Sequence, residues 1–110
     1  MSYKISGTVI KGDGYGKKLG FPTINLDTDN RPAGLAEGVY SGIAILAGKE
    51  YRAGIVIGPN GKNEAHLIGY TGNAYGEDVM LELEKFLRPY KKFNTEEELI
   101  NQIKEDLKLC

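Results

Sequence analysis

The sequence has very little of the two residue types that build most soft-metal and redox sites, because it contains one cysteine, Cys110, and one histidine, His66. A single cysteine cannot form an intrachain disulfide, and it excludes a metal site made of several cysteines. This cysteine usage is typical of a reducing compartment, so we expect a cytoplasmic protein. The chain also lacks the roughly 20 consecutive apolar residues of a membrane-spanning helix and an apolar signal peptide, so we expect no membrane partner.

Neither sign of charge predominates. The chain carries 14 basic and 15 acidic side chains, a formal net charge of -1, so it has no overall field that would attract a nucleic acid or an anionic membrane. We therefore expect no nucleic-acid partner, and binding must come from a local site. With 110 residues and 41% hydrophobic content, the chain can bury one core, and residues 1–110 are predicted to form a single domain.

Helical periodicity is weak until the end of the chain, and most segments have the alternation or the apolar, β-branched runs of strands. The predicted strands are 3–9, 21–26, 38–46, 51–57, 64–70 and 79–85. We expect Ala47 to Glu50 to form a hairpin turn, and Arg88-Pro89 to interrupt the last strand because proline cannot donate a ladder hydrogen bond.

The C-terminal segment has the pattern of an amphipathic helix. Thr95 and Glu98 have capping-box spacing, and Leu99, Ile103 and Leu107 recur on every fourth residue. Short strands, glycine-rich turns and one late helix predict a mainly β protein, a closed or nearly closed antiparallel barrel with the helix packed on it. Closure would leave no exposed strand edges, so we expect a monomer.

Residues 11–20 contain four glycines and no periodicity, which predicts a loop. Its backbone amides could approach phosphate oxygens, and a lysine could add a positive charge. The segment lacks the Gly-Lys-Ser/Thr ending of a Walker A motif, and it does not open a helix as a Rossmann fingerprint does. Judged by itself, the segment fits a flexible turn equally well.

The next segment is more specific. Leu19-Gly20-Phe21-Pro22-Thr23-Ile24-Asn25-Leu26 resembles the Gly-Phe-Pro-Thr-Ala-Asn signature of the riboflavin kinase family. The resemblance continues over nearly the whole chain, through residues 38–42, 64–67, 75–76 and 87–93 to the helix. It implies a six-stranded Greek-key β-barrel with a C-terminal α-helix. It also implies the family's activity, Mg-dependent transfer of the ATP γ-phosphoryl group to the ribityl 5′-hydroxyl of riboflavin, which gives FMN and ADP.

The resemblance also implies roles for individual residues. Glu64 matches the catalytic glutamate, which would accept the proton of the ribityl alcohol. Thr23 and Asn25 match the ligands of a magnesium ion, for which Mn²⁺ or Zn²⁺ could substitute, since neutral oxygen donors discriminate poorly between them. The positions that match ATP-binding residues of the family are Gly12, Lys17, Thr23, Leu67, Gly69 and Tyr75. The positions that match flavin-binding residues are Arg88, Lys91 and Phe93.

Simpler explanations exist for the same residues. An isolated Glu64 is more often a solvated acid at a strand end, and Thr23 and Asn25 could form a polar turn. His66 should share a strand face with Glu64, but a lone histidine in a strand is more often packed or hydrogen-bonded than catalytic. The basic segment 88–93 could be a solvated turn.

Two other functions also remain open. A noncatalytic flavin-binding module on the same barrel is favoured by the short segment 58–63 before Glu64. A barrel that binds single-stranded nucleic acid is suggested by seven tyrosines, although the net charge argues against it. Relatives that also make FAD have an adenylyltransferase domain, so we expect this chain to stop at FMN.

Overall fold

The computed structural model describes residues 3–11, 20–27, 31–59, 61–72 and 74–110. Its strands are β1 (Tyr3–Ile10), β2 (Ile24–Asp27), β3 (Gly38–Leu46), β4 (Lys49–Ile57), β5 (Asn63–Leu67) and β6 (Asp78–Pro89), and they are followed by helix α1 (Glu96–Lys108). The strands form a closed antiparallel barrel in the order β1-β2-β5-β4-β3-β6. Because β2 pairs with β5 instead of β3, the connection is a Greek key. The predicted mainly β barrel with a C-terminal helix is confirmed.

Alternation along the strands separates the barrel interior from its outer face. The buried side chains that fill the interior include Ile5, Val9, Leu26, Ile55, Ile57, Leu81 and Leu83. Burial of each such side chain contributes about 1.5 to 3 kcal/mol to folding. On β5, Asn63, Ala65 and Leu67 are buried, so Glu64 and His66 share the outer face, as predicted.

The predicted end of the last strand is wrong. β6 continues through Arg88 to Pro89, which pair with Val39 and Gly38 of β3. The β3–β6 ladder contains two register shifts, of the kind that β-bulges produce, and pairing continues beyond them to Pro89. Proline lacks the N–H needed to continue the ladder, and here it occupies the last strand position. Arg88 is therefore held on a strand instead of on a loop.

Helix α1 begins as its capping pattern predicts. The Thr95 hydroxyl accepts a hydrogen bond of 3.2 Å from the backbone N–H of Glu98, and acidic residues 96–98 complement the positive end of the helix dipole. The apolar face packs on the outside of β4, where Leu107 lies against Gly54. No helix in the described ranges is long and apolar enough to cross a membrane.

The turn between β3 and β4 is tighter than the four residues predicted, because it contains only Ala47 and Gly48. Their φ values of 51° and 78° are those of a type I′ turn, which favours Asn-Gly. Since alanine is strained at positive φ, we expect Ala47→Asn to raise the free energy of unfolding by about 0.5 to 1 kcal/mol. Urea denaturation measures this, with Gly48→Ala as the opposite, destabilising control. Equal stability of Ala47→Asn and the wild type would show that the turn is not strained.

Candidate active site

A cleft of about 460 Å³ lies between the outer face of the barrel and helix α1. A cleft of this size is within the range that binds small molecules and cofactors. Its walls come from the segment before β2, from β3, β4, β5, β6 and α1, from Lys62 in the turn before β5, and from residues 90–95. The candidate residues that line it are Thr23, Glu64, Arg88, Lys91 and Phe93. The structure therefore brings together candidates that lie far apart in the chain.

Glu64 stands on the outer face of β5, and its side chain is only 15% exposed. The Lys62 Nζ lies 3.6 Å from Glu64 Oε1, so the two side chains form a salt bridge. Both residues line the cleft. Asn25 of β2 is directly opposite Glu64 in the antiparallel ladder. Directly paired residues share a sheet face, so the amide of Asn25 and the carboxylate are neighbours. Thr23 lines the same cleft.

Several of the other candidates lie outside this cleft. Leu67 is 4% exposed and faces the barrel interior, so only its backbone could contact a nucleotide. Gly69 follows in an exposed turn with a φ of 83°, and Tyr75 is 59% exposed. The candidates Gly12 and Lys17 lie outside the described residues. Of the described nucleotide candidates outside the cleft, Leu67 is buried and both Gly69 and Tyr75 are exposed.

His66 has the hydrogen-bonded position expected of a structural histidine. Its Nδ1 lies 2.7 Å from the carbonyl oxygen of Pro22, and a carbonyl only accepts, so Nδ1 donates this bond. The ring also meets the ring of Phe21 edge-on, with centroids 6.1 Å apart. His66 thus anchors the segment that leads to Thr23 on the outside of β5.

The flavin-binding candidates form one packed group. The guanidinium carbon of Arg88 lies 5.5 Å from the centroid of the Phe93 ring, and the Lys91 Nζ lies 5.3 Å from it. Both distances are within the range of cation–π attraction. All three residues line the cleft, and an aromatic ring with cationic groups beside it suits a flat heteroaromatic ligand or an anion.

Asp106 is a site residue that sequence reasoning missed. It is 7% exposed, and its carboxylate pairs with Arg88, with an Nη2–Oδ2 distance of 2.9 Å and both Nε–Oδ distances at 3.1 Å. Gln102 donates a further bond of 2.9 Å to Oδ1. The sequence contained a signal, since this acid follows Ile103 by three residues and so lies on the apolar helix face. The pair fixes the plane of the Arg88 guanidinium.

Arg31, in contrast to Asp106, has no signal in the sequence. It precedes β3, yet its guanidinium lies in the turn between β4 and β5, where it donates to backbone carbonyls and to the Asn63 side chain. Nothing local to Arg31 predicts this, because its partners are about 30 residues away.

The cysteine is not a candidate nucleophile. Burial raises the pKa of the Cys110 thiol, the negative charge of Asp106 raises it further, and Arg52 only partly opposes both effects. The thiol donates a hydrogen bond of 3.3 Å to the Asp106 carbonyl oxygen. A protonated, hydrogen-bonded thiol is unreactive, because the nucleophile is the thiolate.

Within the part of the chain that the structure describes, the acidic and imidazole side chains do not form a metal site of their own. Among residues with described positions, no three or more His, Cys, Asp or Glu side chains form a group that could hold a metal ion. Thr23 and Asn25 offer a hydroxyl and an amide oxygen, the neutral hard donors that suit Mg²⁺ but hold it weakly without an anionic co-ligand. The donor set therefore fits a metal that is also bound by phosphate.

The chain is similar to known riboflavin kinases over its full length. A family model described as "Flavokinase: Riboflavin kinase" matches residues 1–110. Human riboflavin kinase is 34% identical over 120 residues, which cover 97% of this chain and 77% of the human protein. The trifunctional protein RibF/MnmA of Mycoplasmoides gallisepticum is 34% identical over 113 residues, which cover 96% of this chain. The chain spans only 17% of the length of that relative.

Solved structures have the same fold. The crystal structure of riboflavin kinase from Trypanosoma brucei has a TM-score of 0.74 and 20% identity, and the match covers 98% of this chain and 74% of that one. The crystal structure of a macrolide-efflux protein from Streptococcus pneumoniae has a TM-score of 0.86 and 27% identity, and covers 96% of this chain and 37% of that one. The same barrel and helix are therefore found both in a protein named riboflavin kinase and in one named macrolide-efflux protein.

Proposed function

The chain belongs to the riboflavin kinase family, and from this premise we propose that it transfers the γ-phosphoryl group of ATP to the ribityl 5′-hydroxyl of riboflavin. The products are FMN and ADP. The proposal is based mainly on the composition of one cleft, whose lining residues come from separate parts of the chain. They include Glu64, Thr23, Arg88, Lys91 and Phe93. Together they supply a carboxylate, a metal-type oxygen donor, cations and an aromatic surface. Phosphoryl transfer to a flavin requires these groups in one place.

In the proposed reaction Glu64 acts on the nucleophile. Its carboxylate hydrogen-bonds to the ribityl hydroxyl and accepts the proton as the bond from oxygen to the γ-phosphorus forms. The bond from this phosphorus to the β–γ bridging oxygen breaks, and ADP leaves with the electron pair. Lys62, at 3.6 Å from Glu64, keeps a positive charge beside the carboxylate. Most of the rate enhancement comes from positioning, because phosphoryl transfer needs little covalent work from the protein.

Thr23 and Asn25 are proposed as the protein ligands of the metal, which they would hold through Oγ1 and Oδ1 together with the nucleotide phosphates. When bound, the ion would supply positive charge that offsets the negative charge of the phosphoryl oxygens. Mg²⁺ is the proposed ion, with Mn²⁺ or Zn²⁺ as substitutes. The nucleotide itself is assigned to Gly12, Lys17, Thr23, Tyr75 and the backbone at Leu67 and Gly69.

The ring system of riboflavin is proposed to pack on Phe93. Lys91 and Arg88 flank that ring, so they can donate to flavin carbonyls or meet the new phosphate. Because Asp106 already binds the edge of the Arg88 guanidinium formed by Nε and Nη2, Arg88 would contribute a fixed surface, whereas the exposed Lys91 would turn toward the ligand.

The direct test incubates the purified protein with ATP, Mg²⁺ and riboflavin and follows FMN and ADP by chromatography. We expect the two products in equal amounts and none without a divalent metal. Riboflavin binding without FMN formation would replace the proposal with the noncatalytic flavin-binding module. Salt-sensitive binding of an oligonucleotide without flavin binding would favour the nucleic-acid barrel instead.

The metal assignment makes a separate prediction. Asn25→Ala removes one neutral oxygen ligand, so we expect the Mg²⁺ concentration for half-maximal FMN formation to rise about tenfold, the equivalent of about 1.4 kcal/mol of binding. A magnesium titration at saturating ATP measures this. Asn101→Ala, an exposed amide on helix α1, is the matched control and should leave the titration unchanged. An unchanged titration for Asn25→Ala would remove Asn25 from the metal site.

A further inference from the structure

The turn between β4 and β5 is closed by a side chain from outside it. The Arg31 Nη2 donates to the carbonyl oxygens of Gly58 and Lys62, at 2.6 and 2.8 Å. The Arg31 Nε donates to Asn63 Oδ1 at 3.0 Å. One planar guanidinium therefore binds both ends of the turn and the first residue of β5. The ammonium of a lysine could not reproduce this geometry, because it is a point charge without a rigid fork.

Hydrogen bonds among the described residues of the turn involve the residues that Arg31 binds. The Gly58 N–H donates to the Lys62 carbonyl oxygen at 2.8 Å, so this oxygen accepts from both Gly58 and Arg31. The Asn63 Nδ2 donates to the Gly61 carbonyl oxygen at 2.9 Å. Asn63 is only 2% exposed. Without Arg31, the side-chain oxygen of this buried amide would lose the N–H that donates to it. An unsatisfied buried acceptor lowers the free energy of unfolding.

These contacts directly precede Glu64. Lys62 and Asn63 are its two preceding neighbours, and the side chain of Lys62 pairs with its carboxylate. Successive side chains of a strand point to opposite faces, so a buried Asn63 directs Glu64 outward into the cleft. A rotation of the chain at Asn63 would turn the carboxylate away from the reacting alcohol.

We propose that Arg31 is a positioning residue for phosphoryl transfer: its guanidinium holds the turn 58–62 and Asn63 so that Glu64 faces the cleft. This inference rests on the proposed function, because it assigns Arg31 to the placement of the proposed base. Arg31 itself does not line the cleft. It acts through Asn63 and the Lys62 carbonyl, and it contacts neither substrate.

The test is Arg31→Lys, which keeps the charge and removes the fork. We expect kcat for FMN formation to fall about tenfold, with the KM values for riboflavin and ATP within about twofold of the wild type. In a Glu64→Gln background, Arg31→Lys should cause no further loss of kcat, because residues that act through one group are not additive. The control is Arg52→Lys. Arg52 pairs with Glu84 on the exposed surface of β4 and β6, and the change should leave kcat within about twofold.

The outcomes separate the two proposals. No FMN from the folded wild type would overturn the proposed function and this inference together. An active wild type with an equal loss from Arg31→Lys in both backgrounds, or with no loss in either, would overturn this inference alone. A loss confined to KM would also overturn it. If Arg31→Lys does not fold, Arg31→Gln is held to the same criteria, because its amide retains two donors without the charge.

Discussion

Glu64→Gln is expected to lower kcat for FMN formation by about 10²- to 10⁴-fold, the usual contribution of a general base. Glutamine keeps the size and the hydrogen-bonding oxygen of the side chain, so the alcohol can still be oriented. It cannot accept the proton, and the proton must then go to water or phosphate. We expect the KM for riboflavin to remain within about threefold of the wild type, since the lost interaction is made in the transition state.

Steady-state kinetics over a range of riboflavin concentrations at saturating ATP and Mg²⁺ measure this effect. The matched control is Glu84→Gln, because Glu84 is an acid on β6 that pairs with Arg52 at 2.8 Å and does not line the cleft. That variant should have the kcat of the wild type. A loss of less than about tenfold for Glu64→Gln would mean that the carboxylate only orients the alcohol.

Gly42→Ala is expected to lower the free energy of unfolding by about 3 kcal/mol or more, in the range of exceptionally destabilising substitutions. A Cβ at this position would lie 2.0 Å from the carbonyl oxygen of Glu82 and 3.0 Å from Ile55 Cδ1. The first of these atoms is backbone, so no rotamer change removes the overlap. The strands β3 and β6 would have to separate next to the register shift at Gly42.

Urea denaturation of Gly42→Ala and Gly54→Ala measures the difference. Gly54 lies one strand away, but its added Cβ would meet only side-chain ends, Leu107 Cδ2 at 3.1 Å and Cys110 Sγ at 3.6 Å. These atoms can move, so we expect a loss below about 1 kcal/mol. Wild-type stability for Gly42→Ala would contradict the close approach of β3 and β6.

The local elements of the fold could be predicted because their signals are local. The alternation around Ile5 and Val9 in β1 and the Thr95 cap of α1 each depend on neighbours within a few residues. The end of β6 was predicted wrongly because it depends on a partner. Pro89 stays in the strand because it pairs with Gly38 of β3, beyond two register shifts in the ladder. The proline alone gives no indication of those shifts.

The candidate site divides in a similar way. Glu64, Thr23 and the cluster at 88–93 could be proposed from their resemblance to a family. The sequence alone did not predict that these residues line one cleft between the barrel and the helix. Arg31 and Asp106 escaped prediction because their partners lie 27 to 32 and 18 residues away.

Alternation, capping and side-chain chemistry act over a few residues, so most of the strand and helix positions and the residue types available for chemistry follow from the local sequence. Which side chains face one another depends on the tertiary fold. Closure of the barrel sets β5 beside β2, so that Glu64 meets Asn25, and it places helix α1 over the outer face, so that Asp106 binds Arg88. Such contacts depend on strand order and register, which are settled by the packing of the whole core.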